Sequence, residues 1–347
     1  MKWAVSAAGV LVLLVGIFSL HTIYIAGEFK RLEPHFSGSR EAVTGIPGPE
    51  DITIDQRIGF AFVSSDVRPA ARGHGPARGQ IYGYDLNSPD PRPLKLTREF
   101  AGPFHPHGIS LYVSADCTRL FVVNHRYGAD GIEIFDFRDG QLTHLRTIEG
   151  RLLTSPNDVL AVGPQHFYAT NDHGSATPLG QTLEEYLRLP KSNVVYFDGT
   201  RFNVAAGGIR YANGINASAD GRSVYVASTT GLRIRVYRRD PATGALTFDR
   251  DLKLRTGVDN IEVDSLGRLW VGAHPKLLTF AKHFADPTRP SPSQVLMITL
   301  YPDSPVSVQE VFLDSGETLS GSTVAAVYQQ QMLIGAVLGN RFLHCRF

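Results

Sequence analysis

Carboxylates and carboxamides recur in this chain inside short polar knots, each followed by an apolar run. The knots are Pro49-Glu50-Asp51-Ile52, Pro106-His107-Gly108-Ile109, Pro156-Asn157-Asp158-Val159, Ala212-Asn213-Gly214-Ile215, Asp259-Asn260-Ile261 and Gly321-Ser322-Thr323-Val324. Taken singly, Asn, Asp and Gly favour turns for local reasons. Gathered in one place, they are a set of hard oxygen donors. Four carboxylates (Glu50, Asp51, Asp158, Asp259) within about 8 Å of one another would repel by roughly 2 kcal/mol per pair at an effective dielectric of about 20, or roughly 12 kcal/mol in all. Protons or cations must share that space. Carboxylate, amide and backbone carbonyl oxygens, six to eight per ion, suit Ca²⁺, whereas Zn²⁺ recruits His or Cys and Mg²⁺ is poorly satisfied by a large protein cage. Two Ca²⁺ would balance the four charges. His107 lies in the second knot and His125 ends the run VVNH that follows it. An imidazole beside such a channel can take a proton from water, and a second can fix the tautomer of the first. A histidine at a strand end also serves as an ordinary hydrogen-bonded residue.

Such convergence needs an architecture that returns to one axis. Each knot is answered about ten residues later by a strand-like run: GFAFVSS from Gly59, RLFVVNH from Arg119, HFYATND from His166, SVYVAST from Ser223, RLWVGAH from Arg268 and MLIGAVL from Met332. Self-similarity at roughly 45 to 65 residues is the signature of a radial β-repeat, in which no sheet buries both faces without its neighbours. The expected fold is all-β, a six-bladed β-propeller with the knots at one end of the innermost strands. Glu50, Asp51, His107, Asn157, Asp158, Asn213, Asp259, Asn260, Ser322 and Thr323 would then surround one channel. Ile81–Leu86, Ile132–Phe137, Val194–Gly199, Ile234–Arg239 and Val295–Leu300 alternate apolar and polar residues as third strands should. Phe29–Thr44 reads as an approach segment with an outer strand that closes the ring against the C-terminus. Thr182–Pro190 reads as a short amphipathic helix, while His274–Pro292 and the Gly/Pro/Arg-rich Asp66–Gln80 read as long loops.

With 43% apolar residues the chain can bury a large core, and 34 Gly with 21 Pro suit many short strands. A net charge of +1, without any basic run, gives no case for a nucleic-acid partner. Two cysteines, Cys117 and Cys345, are too few for a disulfide framework. Between Lys2 and Glu28 no charged residue occurs, and Trp3–Gly27 is long enough at about 1.5 Å per residue to span a bilayer. The run is longer than a cleaved signal peptide needs and lacks a clean cleavage site. Residues 1–27 are therefore expected to be an uncleaved signal-anchor and 28–347 the propeller domain, exported and held at a membrane.

These residues resemble the paraoxonase family, the calcium-dependent lactonases and arylesterases built as six-bladed propellers. The likeness lies in PEDI at Pro49, PHGIS at Pro106, VVNH at Val122, NDVLAVGPQHFYATNDH at Asn157, YANGINASADGRSVYVA at Tyr211, VDNIEVD at Val258, LWVGAHP at Leu269 and GSTVAAVY at Gly321. The resemblance implies a catalytic Ca²⁺ held by Glu50, Asn157, Asn213, Asp259 and Asn260, and a structural Ca²⁺ held by Asp51, Asp158 and the carbonyl of Ile109. It implies His107 and His125 as a proton-abstracting dyad, with Tyr211 and His274 in the substrate pocket; Asp259 is the second candidate for the base. Animal members tie their N-terminal region to their C-terminus by a disulfide, and although Cys345 matches one partner, Glu28–Glu50 holds no cysteine. Ring closure must then rest on strand pairing, or on a bond to Cys117. The expected activity is Ca²⁺-dependent hydrolysis of lactones and aryl esters, with organophosphate triesters as a side activity. The alternatives are a single-metal gluconolactonase-like propeller, which the extra pair Asp51 and Asp158 disfavours, and a non-catalytic binding platform, which has no need of clustered carboxylates.

Overall fold

The computed structural model describes the chain apart from Met1 and residues 68–77, 127–128 and 302–304. Most of the expected loop Asp66–Gln80 thus lies outside the described residues. Six antiparallel sheets form the blades of a β-propeller, each running outward from an innermost strand that begins at or beside its knot. Those strands are Pro49–Asp55, Pro106–Val113, Pro156–Ala161, Ala212–Ala217, Gly257–Val263 and Ser322–Tyr328. The expected third strands are found as Gln80–Asp85, Gly131–Arg138, Ser192–Phe197, Arg233–Arg239 and Ser293–Thr299. Asp139 and Gly140 both take positive φ (52° and 75°), as a two-residue hairpin turn matched to strand twist requires.

Six hydrophobic clusters fill the seams between neighbouring blades, which is why no blade could stand alone. The seam between blades three and four, for example, packs Tyr168 and Val194 against Val224 and Tyr237. The ring closes as expected, because Ser39–Thr44 pairs with Arg341–Arg346 as the outer strand of the last blade, with Arg40 opposite Cys345. His35–Phe36 adds a short strand to the fifth blade. Both cysteines are free thiols. Closure therefore rests on backbone pairing and packing.

The pairing register shifts at every knot: between Pro49 and Asp51, Pro106 and Ile109, Pro156 and Val159, Ala212 and Ile215, Val258 and Ile261, and Ser322 and Val324. A bulge re-aims side chains and ends pairing. It thus turns the knot residues out of the blade plane.

Among the described residues, three helices lie outside the blades. Helix α1 spans Lys2–Ile25. Among the described residues, no helix is long and apolar enough to cross a membrane. Helix α2, Pro178–Leu187, starts four residues before the expected Thr182–Pro190 and ends at Leu187, with Arg188 as its C-cap; it is capped at its start by Thr177, whose side chain accepts from the Gly180 amide. The segment His274–Pro292 is not wholly a loop: it carries α3, Leu277–Ala285. The sequence hides this start because Lys276 gives no side-chain cap. Glu28 supplies it instead, its Oε1 accepting the amides of Leu278 (2.9 Å) and Thr279 (3.1 Å) and its Oε2 the Thr279 hydroxyl (2.7 Å).

Candidate active site

The bulged knots gather at one end of the ring, beneath a cavity of about 830 Å³. Glu50, Asn157, Asn213, Asp259 and Thr323 line it, together with His107, His125, Tyr211 and His274. Ile25 and Ala26 at the end of α1, Glu185 and Tyr186 of α2, and Leu277 and Phe280 of α3 wall its mouth. Asp51, Asp158, Ile109 and Asn260 are buried and are not among the cavity-lining residues. Ser322 does not join them: its hydroxyl donates to the Gln294 carbonyl and accepts the Gln294 amide, fastening blade six to blade five.

The asparagines are oriented by their nitrogens. Nδ2 of Asn157 donates to Asp172 Oδ2 (3.2 Å), that of Asn213 to Thr229 Oγ1 (3.1 Å), and that of Asn260 to Glu50 Oε1 (2.9 Å). All three Oδ1 atoms are buried and, among the described residues, have no hydrogen-bond partner. A buried acceptor left unsatisfied costs about 1–3 kcal/mol. Three such oxygens, on three of the knots gathered at the axis with Glu50 and Asp259, are a donor set that fits a hard cation. Among the described residues, three or more His, Cys, Asp or Glu side chains nowhere close into a metal cage by themselves; the channel set relies on amides.

Asp51 and Asp158 differ from these. Asp51 accepts the amides of Ile52 (2.9 Å) and, across the seam to blade two, Ile109 (2.7 Å). Asp158 accepts those of Val159 (2.7 Å) and, across the seam to blade four, Ile215 (2.7 Å). Burial pushes both carboxyls well above the usual range, Asp51 next through Glu50 and Asp158 through Asp51, while the amide bonds oppose the shift. Among the described residues, no oxygen of Asp51 or Asp158 is left without a hydrogen-bond partner.

His107 Nδ1 stands 2.9 Å from His125 Nε2, and its Nε2 is 3.6 Å from Glu50 Oε1. On the far side, His125 Nδ1 is 3.3 Å from Asp130 Oδ1. The two histidines are thus in direct contact. His274 Nε2 bonds Asp259 Oδ2 (2.7 Å), and its ring stacks on Phe280 at 3.5 Å. Burial raises the Asp259 carboxyl, opposed by that His274 bond.

Asp172 and His173 do not stand out by residue type in the sequence, yet they are central to the wall. His173 Nδ1 lies 2.7 Å from Asp172 Oδ1 and its Nε2 2.9 Å from Glu185 Oε1, so the imidazole joins blade three to α2. Ser155 also donates to Asp172, which in turn orients Asn157. The repeat carries a signal for them: Asn124-His125 and Asn171-Asp172-His173 end equivalent second strands. Tyr211 packs edge-on against His173 at 5.0 Å, with its backbone in the left-handed region (φ 57°). Burial, then Asp172 and Glu185, hold its hydroxyl well above the usual pKa and hence protonated.

The fold and this oxygen-lined axis define a six-bladed propeller with a cation-ready channel at the base of a substrate-sized cavity. The chain belongs to the arylesterase family, whose model matches residues 47–347. It is 40% identical over 314 residues to human serum paraoxonase/arylesterase 1, covering 87% of each chain. To serum paraoxonase/arylesterase 2 from Bos taurus it is 42% identical, covering 86% of this chain and 85% of the relative. Among solved structures it resembles a luciferin-regenerating enzyme (TM-score 0.58, 12% identity, 90% and 96% of the two chains). It also resembles a calcium-binding regucalcin from Agrobacterium tumefaciens (TM-score 0.54, 14% identity, 90% and 95% covered). At such identity these two bear on the fold alone.

Proposed function

We propose that the protein is a Ca²⁺-dependent hydrolase of lactones and aryl esters, with organophosphate triesters as a side activity. The observation that carries this reading is the set of three buried amide oxygens, of Asn157, Asn213 and Asn260, without a donor among the described residues. Glu50, Asn157, Asn213, Asp259 and Asn260 would hold one ion; Asp51, Asp158 and the carbonyl of Ile109 would hold a second. The first, when bound, would polarise the substrate carbonyl and stabilise its developing oxyanion. The protein's own groups manage the proton. With Nδ1–H of His107 donating to His125 Nε2, and His125 Nδ1–H directed at Asp130, His107 Nε2, 3.6 Å from Glu50 Oε1, would be the atom that takes a proton from water. Asp259 is the second candidate base, its Oδ2 already taken by His274. Leu277 and Phe280 would keep bulk water from the reacting carbonyl.

Family membership at about 40% identity over most of the chain supports the hydrolase reading. Chelation should abolish hydrolysis of phenyl acetate and of a δ-lactone, and Ca²⁺ should restore it. Restoration by Zn²⁺ but not by Ca²⁺ overturns the proposal. A gluconolactonase-like propeller with one ion is the second reading, favoured by the absence of orphaned oxygens at Asp51 and Asp158 among the described residues. Two ions per chain by metal analysis would exclude it.

We also propose export with α1 retained, as the uncharged run Trp3–Gly27 implies, and contact with a membrane through exposed side chains such as Leu11 and Leu14. Recovery of a soluble protein beginning near Glu28 from the native host would overturn this.

A further inference from the structure

We propose that Arg188 and Thr230 form an anion-binding subsite in the cavity wall, so that the favoured substrate is a lactone or ester carrying a carboxylate remote from its reacting carbonyl. This deepens the hydrolase reading and rests on it. Arg188 closes α2 in the left-handed conformation (φ 53°, ψ 47°), where glycine would sit without strain. The strained backbone delivers a guanidinium to the cavity, and Nε is pinned by a 2.6 Å bond to the Thr230 carbonyl. The two forward nitrogens of the fork are thereby oriented.

Among the described residues no carboxylate forms an ion pair with Arg188. Burial, followed by the neighbouring guanidiniums of Arg210 and Arg233, pulls its pKa down. Arg233 has its own carboxylate, Asp251, at 2.6 Å. The acids of the cavity wall are engaged elsewhere, Asp172 and Glu185 with His173, Asp259 with His274 and Glu50 with Asn260. Beside the half-buried cation, Thr230 Oγ1 is buried and has no hydrogen-bond partner among the described residues, and Thr230 also lines the cavity.

An oriented guanidinium next to an unused hydroxyl donor matches a carboxylate, one oxygen for each. A cap for the α2 carbonyls alone would explain a positive charge at a helix end, but neither the orphaned hydroxyl nor the pinned fork.

The test uses the full-length chain loaded with Ca²⁺ and a matched pair, a γ-lactone bearing a ring carboxylate and its primary amide. The quantity read is the ratio of their kcat/KM values. The parent should favour the carboxylate. Arg188→Gln should lower the ratio by about tenfold, the scale of one charge-assisted hydrogen bond; Thr230→Val should lower it less, and Arg188→Lys should recover part of it. A parent ratio of one or below, or a ratio unmoved in Arg188→Gln, overturns the subsite. Calorimetry with the corresponding carboxylated lactam separates the two readings. Binding that Arg188→Gln abolishes supports the subsite even if neither lactone is hydrolysed, a result that would overturn only the hydrolase reading.

Discussion

Gly108 lies so close to Asp158 that a Cβ built on it would stand 2.4 Å from the Asp158 Cα, and Gly214 meets Asn260 Cα the same way at 2.6 Å. Neighbouring knots touch backbone to backbone at these two seams. Gly108→Ala should therefore overpack the axis and destabilise by about 1–3 kcal/mol, read as a lower melting temperature. Gly207→Ala, whose added methyl would have nothing within 4 Å, is the control and should leave the melt within about 0.5 kcal/mol of the parent. Equal melting of the two variants would refute the contact.

His173 supplies a pH signature. Burial of the ring lowers its pKa, but the bonds to Asp172 and Glu185 outweigh this and raise it to about 10. A group whose folded pKa lies above its unfolded value of about 6.5 contributes stability that is complete below that value and is lost as pH rises through the folded pKa. Stability should decline from pH about 6.5 to about 10, and Glu185→Gln should flatten the decline. Denaturant unfolding across that range measures it; parallel slopes in parent and variant would sink the assignment.

The blades and the gathering of the knots at one cavity were legible because they depend on local patterning: strand alternation repeats, and the knots recur at its phase. Ring closure was legible too, since an unpaired strand next to the C-terminal blade has one place to go. What escaped was set by tertiary contact. The start of α3 is invisible near Lys276 because its cap is Glu28, far away in sequence. His173 reads like any strand-end residue until α2 brings Glu185 to its second nitrogen. Ser322 reads like a channel donor, but its hydroxyl is used up on the Gln294 backbone.

Glu28 joins the end of α1 to the cavity mouth. Besides capping α3, this corner is held by the Leu277 amide donating to the Ala26 carbonyl (2.9 Å). Glu28→Ala removes the cap and should cost about 1 kcal/mol of stability. Because Leu277 and Phe280 wall the cavity, KM for ester substrates should rise more than kcat falls. Glu28→Gln, which keeps an acceptor oxygen, should recover most of both. A variant with parental melting and parental KM would show that the corner is held by α1 packing alone.

The two proposed ions should separate by their effects on stability and turnover. Asn213→Ala deletes an oxygen that has no partner among the described residues, and its Nδ2 bond to Thr229 is a small loss because Thr229 Oγ1 keeps its own bond to the Val258 carbonyl (2.7 Å). Its melting temperature under chelation should therefore stay near the parent's, while turnover of phenyl acetate falls. Asp158→Ala acts on the ring itself. It strips acceptors from the buried amides of Val159 and Ile215, at about 1–3 kcal/mol each, and the second of these joins blade three to blade four. It also removes a charged ligand of the second ion, whose binding energy is folding energy. The Asp158 variant should melt well below the parent even under chelation, and excess Ca²⁺ should raise its melting temperature less. Asp158→Asn removes the charge and, because Val159 and Ile215 bond different oxygens of Asp158, one of the two amide bonds as well; it should melt between the parent and Asp158→Ala under chelation, and its Ca²⁺ response should shrink as that of Asp158→Ala does. If Asp158→Asn kept the parent's full Ca²⁺-induced rise, Asp158 would hold the blades through its amide bonds alone and the second ion would have to be withdrawn.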